Sequence, residues 1–332
     1  MSDPVWRPDV LGPGFEQLTL PLAPDDEGEV VATLVRYVPR RFSGGLARGL
    51  GIVTGPAAGA DVLYVHGWSD YFFQSHLAAF WHRMGARFFA LDLRKYGRSL
   101  RANQTPGYVT DLAVYDEDLD AALAAMGRRA GSARPLVLMG HSTGGLTLSL
   151  WAARHPGAVA GLVLNSPWLE FQARQVGRQA LAPLIGLQAR VAPLAPLPTV
   201  DLGFYTRSVS KEFDGSWEYN GQWRPVQGFP THPAWLSAIL AGHARVADGL
   251  GIDAPVLTML SARSVLLPRW TPAMMSADIV LNVDDIAERT VRLGPTVSVV
   301  RLDGALHDIM LSIEPVREEA YAQMTRWLRG YL

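Results

Sequence analysis

The residues best suited to chemistry in this sequence are a serine framed by glycines, Gly140-His141-Ser142-Thr143-Gly144. The segment fits the pattern G-x-S-x-G, in which the serine hydroxyl attacks an acyl group. It directly follows an apolar strand-like run, Pro135–Met139, and leads into a helix that begins near Gly145. The glycines leave room for a sharp turn, and the following helix directs its positive end at the hydroxyl. We therefore predict that Ser142 is a nucleophile.

A glycine-rich phosphate-binding loop is the main alternative for this segment. Such a loop ends in Gly-Lys followed by Ser or Thr, and Gly144-Gly145-Leu146 lacks that ending. A plain tight turn is the other alternative. The strand before the motif and the helix after it favour the nucleophile.

Acyl transfer also needs two N–H donors aimed at the oxyanion that forms on the substrate. One belongs to the residue after the nucleophile, Thr143. The other comes from an earlier loop, Tyr64-Val65-His66-Gly67-Trp68, where glycine lets the backbone turn the Trp68 N–H towards the site. His66 is expected to pack or form hydrogen bonds within that loop. The residues predicted next to the substrate are His66, Gly67 and His141.

One of the eight histidines lies where a general base belongs. With this motif the catalytic residues follow the chain order Ser, Asp or Glu, His. His307 is the histidine that follows the last predicted strand, Thr296–Leu302. From that loop an imidazole can take the serine proton and later return it to the leaving group. We predict His307 as the base.

Buried strands must bring these residues to one edge of a sheet. Continuous apolar runs alternate with segments of helical length, which predicts an α/β fold with a doubly wound, mostly parallel sheet of about eight strands. The predicted parallel strands are Val62–Val65, Phe88–Leu93, Leu136–Met139, Leu162–Leu164, Pro255–Leu260 and Thr296–Leu302. The predicted helices are Gln74–Met84, Val114–Arg128, Gly145–His155, Val283–Leu293 and Glu314–Leu328. An antiparallel pair precedes them, Gln17–Leu20 and Val30–Val38.

The alternation stops in a segment rich in Pro, Trp and Arg. We predict a core domain formed by residues 1–167 and 236–332, and a cap (lid) insertion formed by residues 168–235. An insertion at this point sits above the carboxyl ends of the strands, where open α/β sheets bind ligands. Its apolar helix-like run Ala180–Leu197 and its aromatic residues favour a lid over an apolar acyl pocket.

Three segments of this sequence resemble a known family, the α/β-hydrolases of the monoacylglycerol lipase, lysophospholipase and serine aminopeptidase type. They are Val65-His66-Gly67, the nucleophile segment, and Asp92–Ser99, which is similar to the family's D-x-R-G-x-G-x-S loop with Lys95 at the first glycine. Gly304–Asp308 resembles the family's G-x-x-H loop. The resemblance covers residues 60–170 and 254–332. It implies the α/β-hydrolase fold and a serine hydrolase acting on carboxylic esters.

The resemblance also implies the acid that orients the histidine. In the family it lies shortly after the seventh strand, but Ser261–Ser264 contains no carboxylate. Ala277-Asp278-Ile279-Val280-Leu281 resembles the family's D-x-I-V segment, with extra residues Val265–Ser276 before it. We predict Asp278 as the acid, with Glu170 as the alternative. The carboxylates that flank the base in sequence, Asp303 and Asp308, are expected at the surface.

Composition excludes several classes of protein. Of 332 residues, 48% are hydrophobic and 18% are charged, so a large core is expected. The net charge of −1 gives no reason to expect nucleic acid as a partner. The absence of cysteine excludes disulfides and thiolate metal sites. Neither a signal peptide nor a membrane-spanning run is visible, so a cytoplasmic protein without stable membrane insertion is expected, with neither cofactor nor metal.

The predicted function is therefore hydrolysis of a small ester, with an apolar acyl chain, through an acyl-enzyme on Ser142. An amidase or aminopeptidase using the same residues is one alternative, and a non-catalytic hydrolase-fold ligand-binding protein is another. Dehalogenase and epoxide hydrolase chemistry is disfavoured, because those enzymes carry an aspartate at the position of Ser142. The natural substrate and the oligomeric state stay open.

Overall fold

The computed structural model describes residues 5–39, 54–129, 131–171, 174–198 and 201–332. Within these ranges nine strands form one sheet in the order β1-β2-β3-β5-β4-β6-β7-β8-β9. The strands are β1 Arg7–Pro8, β2 Phe15–Asp25, β3 Gly28–Tyr37, β4 Asp61–Val65, β5 Arg87–Asp92, β6 Leu136–His141, β7 Gly161–Asn165, β8 Val256–Ser261 and β9 Val297–Leu302. The first three pair antiparallel and join β5 antiparallel, whereas β4 to β9 run parallel to one another.

Helices cover both faces of this sheet. The α-helices are α1 Ser75–Arg83, α2 Tyr115–Ala125, α3 Thr143–Arg154, α4 Arg174–Val191, α5 Phe204–Val209, α6 Pro233–Asp248, α7 Val283–Thr290 and α8 Glu314–Tyr331. The α/β-hydrolase architecture predicted from the sequence is confirmed. Among the described residues no helix is long and apolar enough to cross a membrane.

The core lies on both sides of the central strands because every residue of β4, β6, β7 and β8 is buried. Along β4, Val62 and Tyr64 join the cluster that includes α1 and α8, while Leu63 and Val65 join the cluster beneath α2, α3 and α6. Side chains alternate across a strand, so a continuous apolar run is needed where both faces are covered. This is the pattern that made these strands predictable.

The segment between β7 and α6 holds the predicted cap. Its helix α4 begins before the predicted run Ala180–Leu197 and continues through Pro183. Two further helices, the short α5 and the longer α6, were not predicted from the sequence. Helix α6 begins at Pro233, which lies N-terminal to the predicted boundary between cap and core, and it buries one face against the core. The division into domains stays a prediction.

A buried ion-pair network fixes the loop after β5. Asp92 accepts hydrogen bonds from the backbone N–H groups of Phe72 and Arg98 and from the Arg98 guanidinium. The same guanidinium is paired with Asp9. Lys95 has a φ of 62° and pairs with two carboxylates of the β2–β3 turn. A non-glycine residue rarely adopts this conformation. Lys95 stands where the family pattern has glycine, and its ion pairs with Asp25 and Glu27 hold it in that conformation.

Close packing around the turn between β6 and α3 explains why three of its residues are glycines. Ser142 has φ 50° and ψ −116°, a conformation that few non-glycine residues adopt. A Cβ on Gly140 would lie 2.7 Å from the Gly145 backbone, and one on Gly145 would lie 2.7 Å from Pro167 Cβ. A Cβ on Gly144 would overlap the carbonyl oxygen of His66 in the loop after β4. The turn therefore packs too closely for any side chain at these positions.

We expect Gly144→Ala to lower the free energy of unfolding by at least about 2 kcal/mol, because the added methyl group meets rigid backbone. Gly186→Ala is the matched control, since nothing lies within 4 Å of its would-be Cβ in helix α4. Alanine there should change the stability by less than about 1 kcal/mol, in the stabilising direction. Urea unfolding of both variants measures the difference. Equal stabilities would show that the turn is not tightly packed.

Candidate active site

The predicted site residues converge on the edge of the sheet formed by the carboxyl ends of the parallel strands. Ser142 follows β6, and the loop of Trp68 follows β4. Asp278 and His307 lie beyond β8 and β9. This is the edge at which open α/β sheets bind ligands.

Asp278 and His307 form a buried pair. His307 Nδ1 lies 2.9 Å from Asp278 Oδ2, and the two side chains are 2% and 0% exposed. The other carboxylate oxygen accepts hydrogen bonds from the backbone N–H groups of Val280 and Leu281, each at 2.8 Å. An ionised carboxylate can only accept, so His307 donates from Nδ1. This leaves Nε2 as the imidazole nitrogen with a lone pair.

The extra residues before Asp278 form an excursion that returns to the strand end. Asp278 N donates to the carbonyl oxygen of Arg263 at 3.0 Å, and Val265 N donates to the carbonyl oxygen of Asp278 at 2.8 Å. The chain thus leaves after Ser264 and comes back beside it, which the Ser264–Asp278 bridge also shows. Trp270 of the excursion packs against Phe204 at the start of α5. The insertion therefore leaves the carboxylate beside the end of β8.

Ser142 is held by its own backbone. Its N–H donates to the carbonyl oxygen of Asn165, and its carbonyl oxygen accepts from Trp168 N, both at 3.0 Å. The side chain is buried, and a Cβ on Gly67 would lie 3.0 Å from Ser142 Cβ. Gly67 is thus required by the close approach of the two loops. Within the described part of the chain, Ser142 and His307 are not hydrogen-bonded to each other.

The predicted oxyanion donors come from the two segments that meet at Ser142. Thr143 is the first residue of α3, and Trp68 follows Gly67 in the loop after β4. Neither backbone N–H donates a hydrogen bond to another described residue. The Trp68 ring packs against Trp235 with a centroid separation of 3.8 Å. The loop is thereby anchored to α6.

His66 is a framework residue of that same loop. Its Nδ1 lies 2.7 Å from the carbonyl oxygen of Gly67, and its Nε2 lies 3.1 Å from Leu93 N. The backbone N–H must donate, so Nε2 accepts and Nδ1 carries the proton. Burial lowers the pKa of His66 and favours this neutral form. The hydrogen-bonding role expected for His66 fits this geometry, while its contact with substrate stays a prediction.

The expectation that Asp308 lies at the surface is wrong. Its side chain is fully buried and accepts hydrogen bonds from Asn165 Nδ2 at 2.7 Å and Gln74 Nε2 at 2.9 Å. It also accepts from the backbone N–H of Met310. These amide donors satisfy a carboxylate that adjoins the predicted base, so Asp308 fixes the His307 loop. Asp303 is exposed, as expected.

Glu170, the alternative acid, lies in a different environment. Its two carboxylate oxygens pair with Arg178 Nε at 2.9 Å and Arg289 Nε at 2.8 Å. The side chain is 2% exposed. These bonds join α4 to α7 and engage both carboxylate oxygens with arginines, whereas the imidazole of His307 is bonded to Asp278. The geometry favours Asp278 over Glu170.

Sequence reasoning missed a second polar group beside the site. Asp70 is buried, with Oδ2 3.6 Å from His141 Nδ1 and Oδ1 3.3 Å from Arg224 Nε. Asp70 stands three residues after Gly67, so its position in the oxyanion loop was an available signal. Arg224 comes from the predicted cap, in a stretch without periodicity, and no sequence signal marks it. The third missed residue is Tyr205, whose ring meets the His307 ring edge-on at 5.4 Å.

The pKa values of His141 and Asp70 are shifted by burial and by the charged groups around them. Burial lowers the pKa of His141, but Asp308 and Asp70 raise it by more, so the net pKa lies above its ordinary value. For Asp70 burial raises the pKa, yet His141 and Arg224 together bring it below the usual range. The imidazole and the carboxylate thus stabilise each other's charged forms.

Asp70, His141 and Asp308 bring ligand atoms within 4.8 Å of one another, a spacing that a metal ion could use. The donor set does not suit a divalent cation. Asp308 already accepts three hydrogen bonds, and the guanidinium of Arg224 beside Asp70 would repel a second cation. A polar, non-metal role fits these residues better.

The fold and the site define the class of protein. A mostly parallel sheet that carries a serine on the turn after β6 and a His–Asp pair beyond the last two strands is an α/β-hydrolase. The family model described as "Serine aminopeptidase, S33" matches residues 56–220. A monoacylglycerol lipase of Mycolicibacterium smegmatis is 24% identical over 276 residues, which are 82% of this chain and 88% of that protein.

Solved structures show the same fold. The monoacylglycerol lipase of Paleococcus ferrophilus superposes with a TM-score of 0.60 at 17% identity, covering 84% of this chain and 97% of that one. A carboxyl esterase of Bacillus coagulans gives 0.64 at 14% identity, covering 95% and 98%. The chain has the α/β-hydrolase fold, is monoacylglycerol lipase-like, and is an enzyme of the hydrolase class. The family resemblance predicted from the sequence is confirmed.

We expect His141 to stabilise the fold more at low pH than at high pH. Its folded pKa lies above the ordinary value of 6.5, so the stabilisation is complete below about pH 6.5 and is lost as the pH rises through the folded pKa. The free energy of unfolding of the wild type minus that of His141→Gln should therefore be larger near pH 6 than near pH 9. Chemical denaturation at both pH values measures it. When Asp70 is replaced by Asn, the change in this free-energy difference between pH 6 and pH 9 should be smaller. An equal difference at both pH values with Asp70 present would contradict a raised pKa of His141.

Proposed function

We propose that this enzyme hydrolyses carboxylic esters through an acyl-enzyme on Ser142. In this proposal His307 is the general base, Asp278 orients it, and the N–H groups of Trp68 and Thr143 bind the oxyanion. The observation that carries the proposal is the 2.9 Å bond between His307 Nδ1 and Asp278 Oδ2. It fixes the imidazole with Nε2 available, at the sheet edge where the strained turn presents Ser142.

The reaction then proceeds in two halves. Nε2 of His307 takes the proton of Ser142 Oγ as that oxygen attacks the ester carbonyl carbon, and the carbonyl oxygen becomes an oxyanion held by two backbone N–H groups. The C–O bond to the alcohol breaks, and the imidazolium returns the proton to the departing oxygen. A water molecule, deprotonated by the same nitrogen, then attacks the acyl carbon. The bond from that carbon to Ser142 Oγ breaks, the acid leaves, and the imidazolium returns the proton to Oγ.

We further propose that residues 168–235 act as a lid. Ser142 and His307 are 8% and 2% exposed, so substrate cannot reach them without movement of a covering segment. Hydrogen bonds and ring contacts hold it closed: Trp217 Nε1 donates to the carbonyl oxygen of Leu311 at 2.6 Å, Phe229 N donates to Ser69 Oγ at 3.0 Å, and the Trp217 ring stacks on His76. The hydrogen bond between Ser142 Oγ and His307 Nε2 that the proton transfer needs would form once substrate is bound.

An apolar acyl chain suits the aromatic side of the site. Trp168 donates its backbone N–H to the Ser142 carbonyl oxygen, and its ring lies 6.2 Å from that of Trp235. The ring of Trp68, whose backbone N–H is a proposed oxyanion donor, packs against Trp235 as the third indole. Three indole rings beside a nucleophile favour an aliphatic acyl group. The M. smegmatis relative, named a monoacylglycerol lipase, and the esterase neighbours support an ester as substrate.

Amide or aminopeptide hydrolysis is the second candidate, because the matching family model carries an aminopeptidase description. A free amino terminus would need an uncompensated carboxylate near the nucleophile. The nearby carboxylate Asp70 faces Arg224 and His141, which offset its charge. Comparing p-nitrophenyl esters of increasing acyl length with aminoacyl p-nitroanilides separates the two activities. We expect turnover of the esters, with a maximum above acetyl, and much slower turnover of the anilides.

Substitutions of Ser142 and Asp278 should lower turnover to different extents. Ser142→Ala should abolish hydrolysis of p-nitrophenyl butyrate without unfolding the protein. Asp278→Asn should lower kcat by about 10³- to 10⁴-fold, because the imidazole loses its orienting acceptor. Steady-state kinetics, with circular dichroism to verify folding, measure both effects.

Two carboxylates serve as controls. Glu170→Gln tests the alternative acid and should keep kcat within about threefold of the wild type, as should the exposed Asp303→Asn. A fully active Asp278→Asn variant together with an inactive, folded Glu170→Gln variant would overturn the assignment of the acid. Unchanged turnover by Ser142→Ala would overturn the proposed mechanism.

A further inference from the structure

The guanidinium of Arg224 is buried beside the proposed active site with its terminal nitrogens unused. Its side chain is 4% exposed. Nε faces Asp70 Oδ1 at 3.3 Å, but neither Nη1 nor Nη2 has a hydrogen-bond partner among the described residues. The edge of a guanidinium formed by these two nitrogens matches two oxygens of a carboxylate or phosphate. A buried cation with this edge unpaired is rare in folded proteins.

Aromatic rings surround the guanidinium without satisfying it. Arg224 Cζ lies 4.6 Å from the ring centroid of Tyr219 and 4.8 Å from that of Tyr205. Contacts with ring faces favour the cation but accept none of its in-plane N–H bonds. The two phenol oxygens are themselves buried without a hydrogen-bond partner in the described chain. The rings hold the guanidinium in one orientation and keep solvent away from it.

Two chains of contacts connect Arg224 to the reacting groups. Through Tyr205, whose ring meets the His307 imidazole at 5.4 Å, it lies one ring away from the proposed base. Through Asp70 it reaches His141, the residue before Ser142. Both paths end at the site, so a group bound by Arg224 would belong to the molecule being hydrolysed.

The surroundings of Ser142 differ on its two sides. The tryptophans that suit an acyl chain pack around Trp235 of α6, whereas Arg224 and Tyr205 of the predicted cap form a polar side with Asp70. An ester placed with its acyl chain against the indoles directs its alcohol portion at the polar side. The carboxylate of Asp70 does not prevent anion binding, because Arg224 and His141 both face it.

We propose that Arg224 is a specificity-determining residue that binds an anionic oxygen group, a carboxylate or a phosphate, on the alcohol portion of the ester. This inference rests on the proposed ester hydrolysis. The anion accepts two parallel hydrogen bonds from Nη1 and Nη2, and Asp70 fixes the opposite edge of the guanidinium. A neutral ester of the same alcohol leaves these donors unpaired and binds more weakly.

Pairs of substrates that differ only in charge test this. The carboxylate pair is 4-acetoxybenzoate and 4-acetoxybenzamide, and the phosphate pair is a 1-acylglycerol 3-phosphate and the 1-acylglycerol with the same chain. We expect the wild type to prefer the anionic member of at least one pair. Arg224→Gln should lower kcat/KM for that anion by about 10- to 100-fold, mainly through KM, and change the neutral partner by less than about threefold. The pair that responds identifies the anion.

Matched variants separate charge from folding. Arg207→Gln removes an exposed arginine of α5 that pairs with Asp214, and it should leave both ratios unchanged. Arg224→Lys keeps the charge without the fork and should lose part of the preference. If Arg224→Gln does not fold, Arg224→Lys decides. Equal loss for charged and neutral esters, or no preference in the wild type, would show that Arg224 only supports the structure.

A binding measurement keeps this inference distinct from the proposed function. Calorimetric titration of Ser142→Ala with each probe, with and without Arg224→Gln, needs no turnover. Tighter binding of the anion that depends on Arg224 supports the anion site even when the wild type hydrolyses none of the four esters, a result that would overturn the ester hydrolase proposal alone. Equal binding of charged and neutral probes overturns the anion site.

Discussion

The bond between His307 and Asp278 depends on loops that are anchored at the ends of β7, β8 and β9. The two residues follow different strands, β8 and β9, and each is delivered by a loop that cannot shift independently. Asp278 is tied to its strand end through backbone bonds to Arg263 and Val265. The loop of His307 is tied through Asp308 to Asn165 at the end of β7 and to Gln74 before α1. A buried histidine and carboxylate hold a fixed geometry only when the neighbouring polar groups are satisfied in this way.

The nucleophile turn imposes the second constraint. The φ and ψ of Ser142 are stored strain, and the backbone bonds from Ser142 to Asn165 and from Trp168 to Ser142 hold it. The carbonyl oxygen of His66 sits where a side chain on Gly144 would go, so the loop after β4 and the turn after β6 are packed as one unit. One packed unit thus contains the serine and both proposed oxyanion donors. Preorganisation of this kind is what lowers the barrier to acyl transfer.

Local patterns made much of this predictable from the sequence. The buried strands have continuous apolar runs, and the nucleophile turn carries its glycines at fixed spacing, so β4 to β8 and Ser142 could be placed. Strand β9 is partly exposed and was placed by its valines and by the helices on either side. The position of His307 followed from chain order. Asp278 needed the family resemblance, because Val265–Ser276 displaces it in sequence although not in space. Such an excursion costs little free energy, because the entropy of closing a surface loop grows only slowly with its length.

What could not be predicted depends on packing between distant segments. Asp308 looked like a surface charge because its amide partners, Gln74 and Asn165, are remote in sequence. Helix α6 is apolar around much of its surface, so its periodicity is weak. Arg224 lies in an irregular stretch, and its burial between Asp70 and two tyrosines exists only once the predicted cap has folded onto the core.

A crystal structure of the protein treated with an alkyl fluorophosphonate tests the central claim most directly. The account predicts a phosphorus bonded to Ser142 Oγ, a phosphonyl oxygen facing the N–H groups of Trp68 and Thr143, and His307 Nε2 within hydrogen-bonding distance of the adduct while Nδ1 keeps its bond to Asp278. An unmodified Ser142 in folded, reagent-saturated protein, or an adduct whose phosphonyl oxygen points away from both N–H groups, would contradict it.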